Sequence, residues 1–93
     1  MTVYFEKYDG TADLGILIGE SGKGYGLEAW TLVLEWLSCL GQVRKITGGT
    51  VSKNIPMVNI MKRSGMVYEA TRYQQVLIDG SPEDIVYYAT FPN

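Results

Sequence analysis

The sequence contains no histidine. That removes Ser-His-Asp and Cys-His nucleophile systems, and leaves any zinc site to one thiolate and carboxylates. No metal site is expected. Acid–base chemistry, if the chain performs any, falls to carboxylates, tyrosines, lysines or water. The single cysteine, Cys39, excludes an internal disulfide and suits a reducing cytoplasm. Residues Met1 to Lys7 lack the basic start and apolar core of a signal peptide. The longest apolar segments are too short to span a bilayer or carry Glu35, so no membrane association is expected. Net charge is −2, and Arg44-Lys45 and Lys62-Arg63 are isolated pairs rather than a cationic stripe. Nucleic acid is therefore not an expected partner.

The 93 residues are 46% hydrophobic and 19% charged, the composition of one globular domain over residues 1–93. A domain of this size buries roughly 60–65% of its unfolded surface. The core is thin, so additional apolar surface is expected to meet a partner.

Val3–Tyr8 alternates across a pleat and reads as a strand. Asp9-Gly10 is a turn signal, and Asp13–Glu20 pairs back as the second strand of a hairpin. Leu14–Ile18 is apolar on both faces, as in a central, covered strand. Gly24–Leu40 has helical periodicity, with Trp30, Val33, Leu34, Leu37 and Leu40 on one stripe and Gly41 as the stop. A second stripe of Tyr25, Ala29, Leu32 and Trp36 implies burial on another side, or a side reserved for another chain. Val43–Val51 reads as a strand parallel to the second, completing a β–α–β unit. Asn54–Ser64 reads as a short helix, with Asn54 as N-cap, Pro56 in the first turn and Gly65 as terminator. Met66–Ile78 and Ile85–Phe91 read as strands joined by a polar loop, Asp79–Asp84. The class is mixed α/β, about five strands and two helices in the order β-β-α-β-α-β-β.

Between the second strand and the first helix lies Gly22-Lys23-Gly24-Tyr25-Gly26. Closely spaced glycines let backbone N–H groups approach a ligand, and a helix N-terminus adds partial positive charge. Lys23 adds a full charge there. The pattern suits a phosphate-bearing cofactor, although a lone pair of such glycines also makes a tight strand-to-helix turn. Gly24-x-Gly26-x-x-Ala29 matches the dinucleotide pattern, but Arg44–Thr50 lacks the carboxylate that would hold a ribose. A Walker A loop fails because Gly24 follows Lys23.

Taken together, Ile18-Gly19-Glu20, Gly22–Ala29, Arg44–Thr50, Asn54–Met66 and the tail through Leu77–Gly80 and Asp84–Tyr88 resemble the C-terminal half of the GNAT superfamily. These are acetyl-CoA-dependent N-acyltransferases, and the bacterial branch acting on protein N-termini and small amines is most similar. The resemblance covers nearly the whole chain and implies a GNAT-like half-domain without the N-terminal part that shapes the acceptor pocket. It implies acetyl-CoA or CoA as cofactor, in a splay between the strands flanking the first helix. Ile18 and Gly19 would pair with the pantetheine arm, Gly22, Lys23, Gly24, Tyr25 and Gly26 would hold the pyrophosphate, and Asn54 would orient the arm. Relatives place Gln or Arg where Ser21 stands, with a longer loop before the glycines. Many place a proton-donating tyrosine at the position of Met61, so that role passes to Tyr87 or Tyr88, and Glu20 becomes the candidate base.

Two functions follow: an N-acetyltransferase domain that binds acetyl-CoA and transfers acetyl to an amine, or a non-catalytic half-domain that self-associates or binds another protein. A homodimer is expected through the edge of the first strand or through the first helix. Trp30 and Trp36 read as core and interface, Met57, Met61 and Met66 as gap fillers, Glu69–Arg72 as a surface pair, and Cys39 as a buried small hydrophobe.

Overall fold

A computed structural model describes residues 2–6, 10–15, 27–41 and 43–92. Among these residues five strands and two helices occur in the expected order: β1 Thr2–Glu6, β2 Thr11–Gly15, α1 Leu27–Cys39, β3 Lys45–Val51, α2 Ile55–Arg63, β4 Val67–Ile78 and β5 Ser81–Thr90. They build one sheet in the order β1-β2-β3-β5-β4. The β1–β2 hairpin is antiparallel and β2–β3 is parallel through α1, as the sequence predicts. β5 inserts antiparallel between β3 and β4.

Local chemistry explains the helix ends. Gly41 follows α1 at φ 72°, a left-handed conformation that terminates helices. At the start of α2 the Asn54 carboxamide oxygen accepts from the Met57 N–H at 3.3 Å, with Pro56 in the first turn where its missing N–H costs nothing. Gly65 at φ 91° ends α2, and the Met66 N–H returns to the Met61 carbonyl at 3.2 Å.

Both helices cover the same face of the sheet. Trp30, Leu34 and Leu37 of α1 and Met57, Val58 and Met61 of α2 share one core with Ala12, Leu14, Ile46 and Tyr88 from the strands. The period-2 alternation of β3 puts Ile46, Gly48 and Thr50 on that side. Its other residues, with the cross-strand partners Ile85, Tyr87 and Ala89, lie on the opposite face, where none of the described helices packs. Val67 and Phe91 are exposed.

Several expectations need correction. β5 begins at Ser81, so the connection is the two-residue turn Asp79-Gly80 rather than a six-residue loop. Asp79 and Gly80 both have positive φ, the backbone twist that suits a tight hairpin, and Pro82 sits in the outer ribbon beyond the end of β3. Cys39 is exposed, because it occupies the last residue of α1 on its outer side. Leu40 and Ile55 are exposed as well, each lying just outside a helix–sheet contact. Glu69 pairs with Lys45 at 2.6 Å, and Arg72 lies 5.5 Å from the ring of Tyr87, so they do not pair with each other. The reason is local: residues three apart in a strand alternate to opposite faces, and register shifts at Tyr68/Ala70 and Arg72/Val76 set their neighbours instead. Within the second shift Gln74 adopts φ 52°, and its N–H donates to Asp84 Oδ1 at 2.8 Å.

Candidate functional site

β2 and β3 run parallel with α1 between them, so the carboxyl ends of both strands point to one edge of the sheet. Open α/β sheets bind ligands at such edges. The N-terminus of α1 follows β2 there and the N-terminus of α2 follows β3, so two helix starts meet the same edge. The last described pair of the β2–β3 ladder is Gly15↔Gly49. The expected splay between the strands flanking α1 lies outside the described residues.

Of the site residues read from the sequence, Ile18, Gly19, Glu20, Gly22, Lys23, Gly24, Tyr25 and Gly26 lie outside the described residues. They form the segment that links Gly15 to Leu27, between β2 and α1. Asn54 stands at the edge itself. Besides capping α2, its amide donates to the buried Thr50 hydroxyl at 3.4 Å, which ties the cap to the end of β3. One amide hydrogen and one carbonyl lone pair of Asn54 are left over for a ligand.

Two glycines next to this edge carry aromatic rings on opposite faces. A Cβ on Gly48 would lie 2.9 Å from Trp30 Cζ2 and 3.1 Å from Met61 Sδ. A Cβ on Gly49 would lie 2.7 Å from Tyr87 Cε1. Glycine is required at each because a ring occupies the side-chain space. The pairing also separates the two candidate tyrosines. Tyr87, opposite Gly49, is half-buried beside Arg72 on the face that none of the described helices covers. Tyr88, opposite Gly48, is buried on the helix face and meets Tyr68 edge-on at 5.9 Å between ring centres. Met61 shares the helix face with Trp30 and Tyr88, all three touching the core cluster.

The sequence marks Trp30 only as a core residue, and it is one: it is fully buried in the first helical turn. Its Nε1 is nonetheless a buried donor with no hydrogen-bond partner among the described residues. The sequence does hold the signal, since a tryptophan buried in a helix always brings an N–H that needs an acceptor. Among the described residues no three Cys, Asp or Glu side chains converge as a metal-binding group, and no helix is long and apolar enough to cross a membrane.

The sequence model of the family described as "Acetyltransferase (GNAT) domain" matches residues 2–67. No curated protein matches. Among solved structures the chain is similar to a spermidine N-acetyltransferase mutant from Vibrio cholerae, at 18% identity and a TM-score of 0.79, over 95% of this chain and 53% of that one. It is similar to a GNAT-family acetyltransferase from Bacillus anthracis, at 21% identity and a TM-score of 0.75, over 97% and 55%. It is also similar to a ribosomal L7/L12 alpha-N-protein acetyltransferase in complex with coenzyme A, at 19% identity and a TM-score of 0.76, over 94% and 50%. The chain thus spans about half the length of each.

Proposed function

The chain belongs to the GNAT acetyltransferase family, and on that premise we propose that it binds acetyl-CoA at the carboxyl edge of β2 and β3 and transfers acetyl to an amine. The observation that carries this reading is the convergence of two helix N-termini and Asn54 on that edge, next to the glycine segment of residues 22–26. The donor set fits such a cofactor. Backbone N–H groups and Lys23 suit the pyrophosphate, Ile18 and Gly19 offer a strand edge to the amide-bearing arm, and the spare groups of Asn54 suit its polar atoms. Bound acetyl-CoA supplies an activated acyl thioester. Glu20 is the proposed base that takes the amine's proton, and Tyr87 the proposed donor to the leaving thiolate. Tyr87 suits the second role better than Tyr88, whose ring is enclosed in the apolar core. Small polyamines and protein N-termini are the amines to test first, since similar structures carry those activities in their names.

The test is thermal melting with and without CoA, since a ligand of the folded state must raise its stability, by about 2.7 kcal/mol at a hundredfold excess over Kd. Gly24→Glu, which puts a carboxylate where the diphosphate would sit, should abolish the shift. An unmodified chain whose melting ignores millimolar CoA would end this reading.

A second reading has its own support. Leu32 and Trp36, one turn apart on α1, are 64% and 59% exposed. This surface, or the outer edge of β1, is proposed to hold a second copy of the chain. Sedimentation at micromolar concentration should find a dimer that Trp36→Gln weakens; a monomer for the unmodified chain refutes it.

A further inference from the structure

We infer that the Trp30 indole N–H is a ligand donor, placed to bind a neutral carbonyl of the acyl-CoA arm; this rests on the proposed CoA site and deepens it. Trp30 lies in the first turn of a 13-residue helix and is 0% exposed, yet its Nε1 has no acceptor among the described residues. Burying an N–H without a partner is costly, so native chains rarely retain one without a use. Phenylalanine or leucine would fill an apolar site without that cost.

The place of the N–H follows from the packing. Indole Nε1 and Cζ2 are bonded to the same ring carbon, so they lie close together on the ring. Cζ2 and Cη2 both close on the side-chain space of Gly48, which puts the donor near that glycine. Gly48 pairs with Leu14 in the β2–β3 ladder. The donor therefore lies by the strand pair near the carboxyl edge, where the arm is proposed to enter. Asn54 reaches the same region through Thr50, two residues beyond Gly48.

The surroundings choose the ligand atom. Leu14, Leu34 and Met61 belong to the same apolar cluster as Trp30, so a phosphate would lose its hydration there without compensation. A neutral amide or thioester carbonyl is the acceptor that such a pocket tolerates. Both occur on the arm, and the ligand series below separates them. Trp30 is a binding residue in this scheme; proton transfer does not pass through it.

The experiment is an indole N–H spectrum of the ¹⁵N-labelled full chain, with Trp36→Phe used to assign the Trp30 signal. Adenosine bisphosphate, the nucleotide end of CoA, should leave that signal in place, whereas CoA or acetyl-CoA should move it downfield. A shift that needs acetyl-CoA identifies the thioester carbonyl; one already complete with CoA identifies an amide. In parallel, Trp30→Phe should bind CoA about fivefold to tenfold more weakly while its affinity for adenosine bisphosphate is unchanged. Binding of both CoA and acetyl-CoA that leaves the Trp30 signal unmoved overturns the inference alone. Absence of any CoA-dependent melting shift overturns the proposed function and this inference with it.

Discussion

Gly48→Ala is the substitution whose cost can be worked most directly from the structure. The added Cβ would meet Trp30 Cζ2 at 2.9 Å and both Met61 Sδ and Trp30 Cη2 at 3.1 Å, against 3.4 Å for ordinary contact. The ring must retreat by about 0.5 Å (3.4 less 2.9), and it is fully buried. Overpacking of this kind costs about 1–3 kcal/mol. Restricting the unfolded chain returns about 0.4–1 kcal/mol. The expected net loss is about 1–2 kcal/mol, a fall in Tm of roughly 4–16 °C for a domain of this size. Gly49→Ala provides the internal comparison. Its Cβ would come closer still, 2.7 Å from Tyr87 Cε1, but that ring is half-buried and can swing outward at the expense of an exposed contact with Arg72. Its cost should stay within about 0.5 kcal/mol, because an exposed cation–π contact is worth only about 0.5–1 kcal/mol and restriction of the unfolded chain again returns about 0.4–1 kcal/mol. Urea denaturation of both variants measures the difference, with an unchanged m-value showing that native stability alone has moved. In a Trp30→Phe background, which lacks Cζ2 and Cη2, the Gly48→Ala penalty should shrink. If Gly49→Ala costs as much as Gly48→Ala, mobility of the ring does not decide the outcome and the reasoning fails.

Asn54→Ala removes the α2 cap and the partner of the buried Thr50 hydroxyl, so stability should drop by about 1–2 kcal/mol in urea titration, while Asn54→Asp should keep most of the cap. Gln74→Gly should stabilise the chain by about 0.5–1 kcal/mol in urea titration, because φ 52° is strained for a residue with a Cβ and the N–H that donates to Asp84 Oδ1 is kept; a loss of stability would show that the freedom glycine adds to the unfolded chain outweighs the strain. Cys39 should react with a thiol reagent in the native protein at nearly the rate of the unfolded chain, and slow labelling would restore the buried reading.

The order of elements was legible because each is set by neighbours in the chain. Trp30, Leu34 and Leu37 recur at helical spacing, and Asn54 with Pro56 announces the start of α2 within a few residues. Contacts set by strand register were not legible. Lys45 takes Glu69 from across the sheet, and Arg72 turns to Tyr87, because two irregularities in β4 reset its faces. The alternation of Tyr87 and Tyr88 could be read from the sequence, but which side carried the helices could not. At the site, Asn54 was legible through its capping role, whereas the unpaired Trp30 N–H became visible only once its surroundings were known.

The adjacent glycines of β3 have one more consequence. Between the indole of Trp30 and the phenol of Tyr87 the sheet is reduced to the thickness of its own peptide planes. Movement of one ring therefore cannot be absorbed by intervening side chains and is handed through the main chain to the other. Whatever comes to rest on the Tyr87 side of the sheet is in mechanical touch with the helix layer beneath.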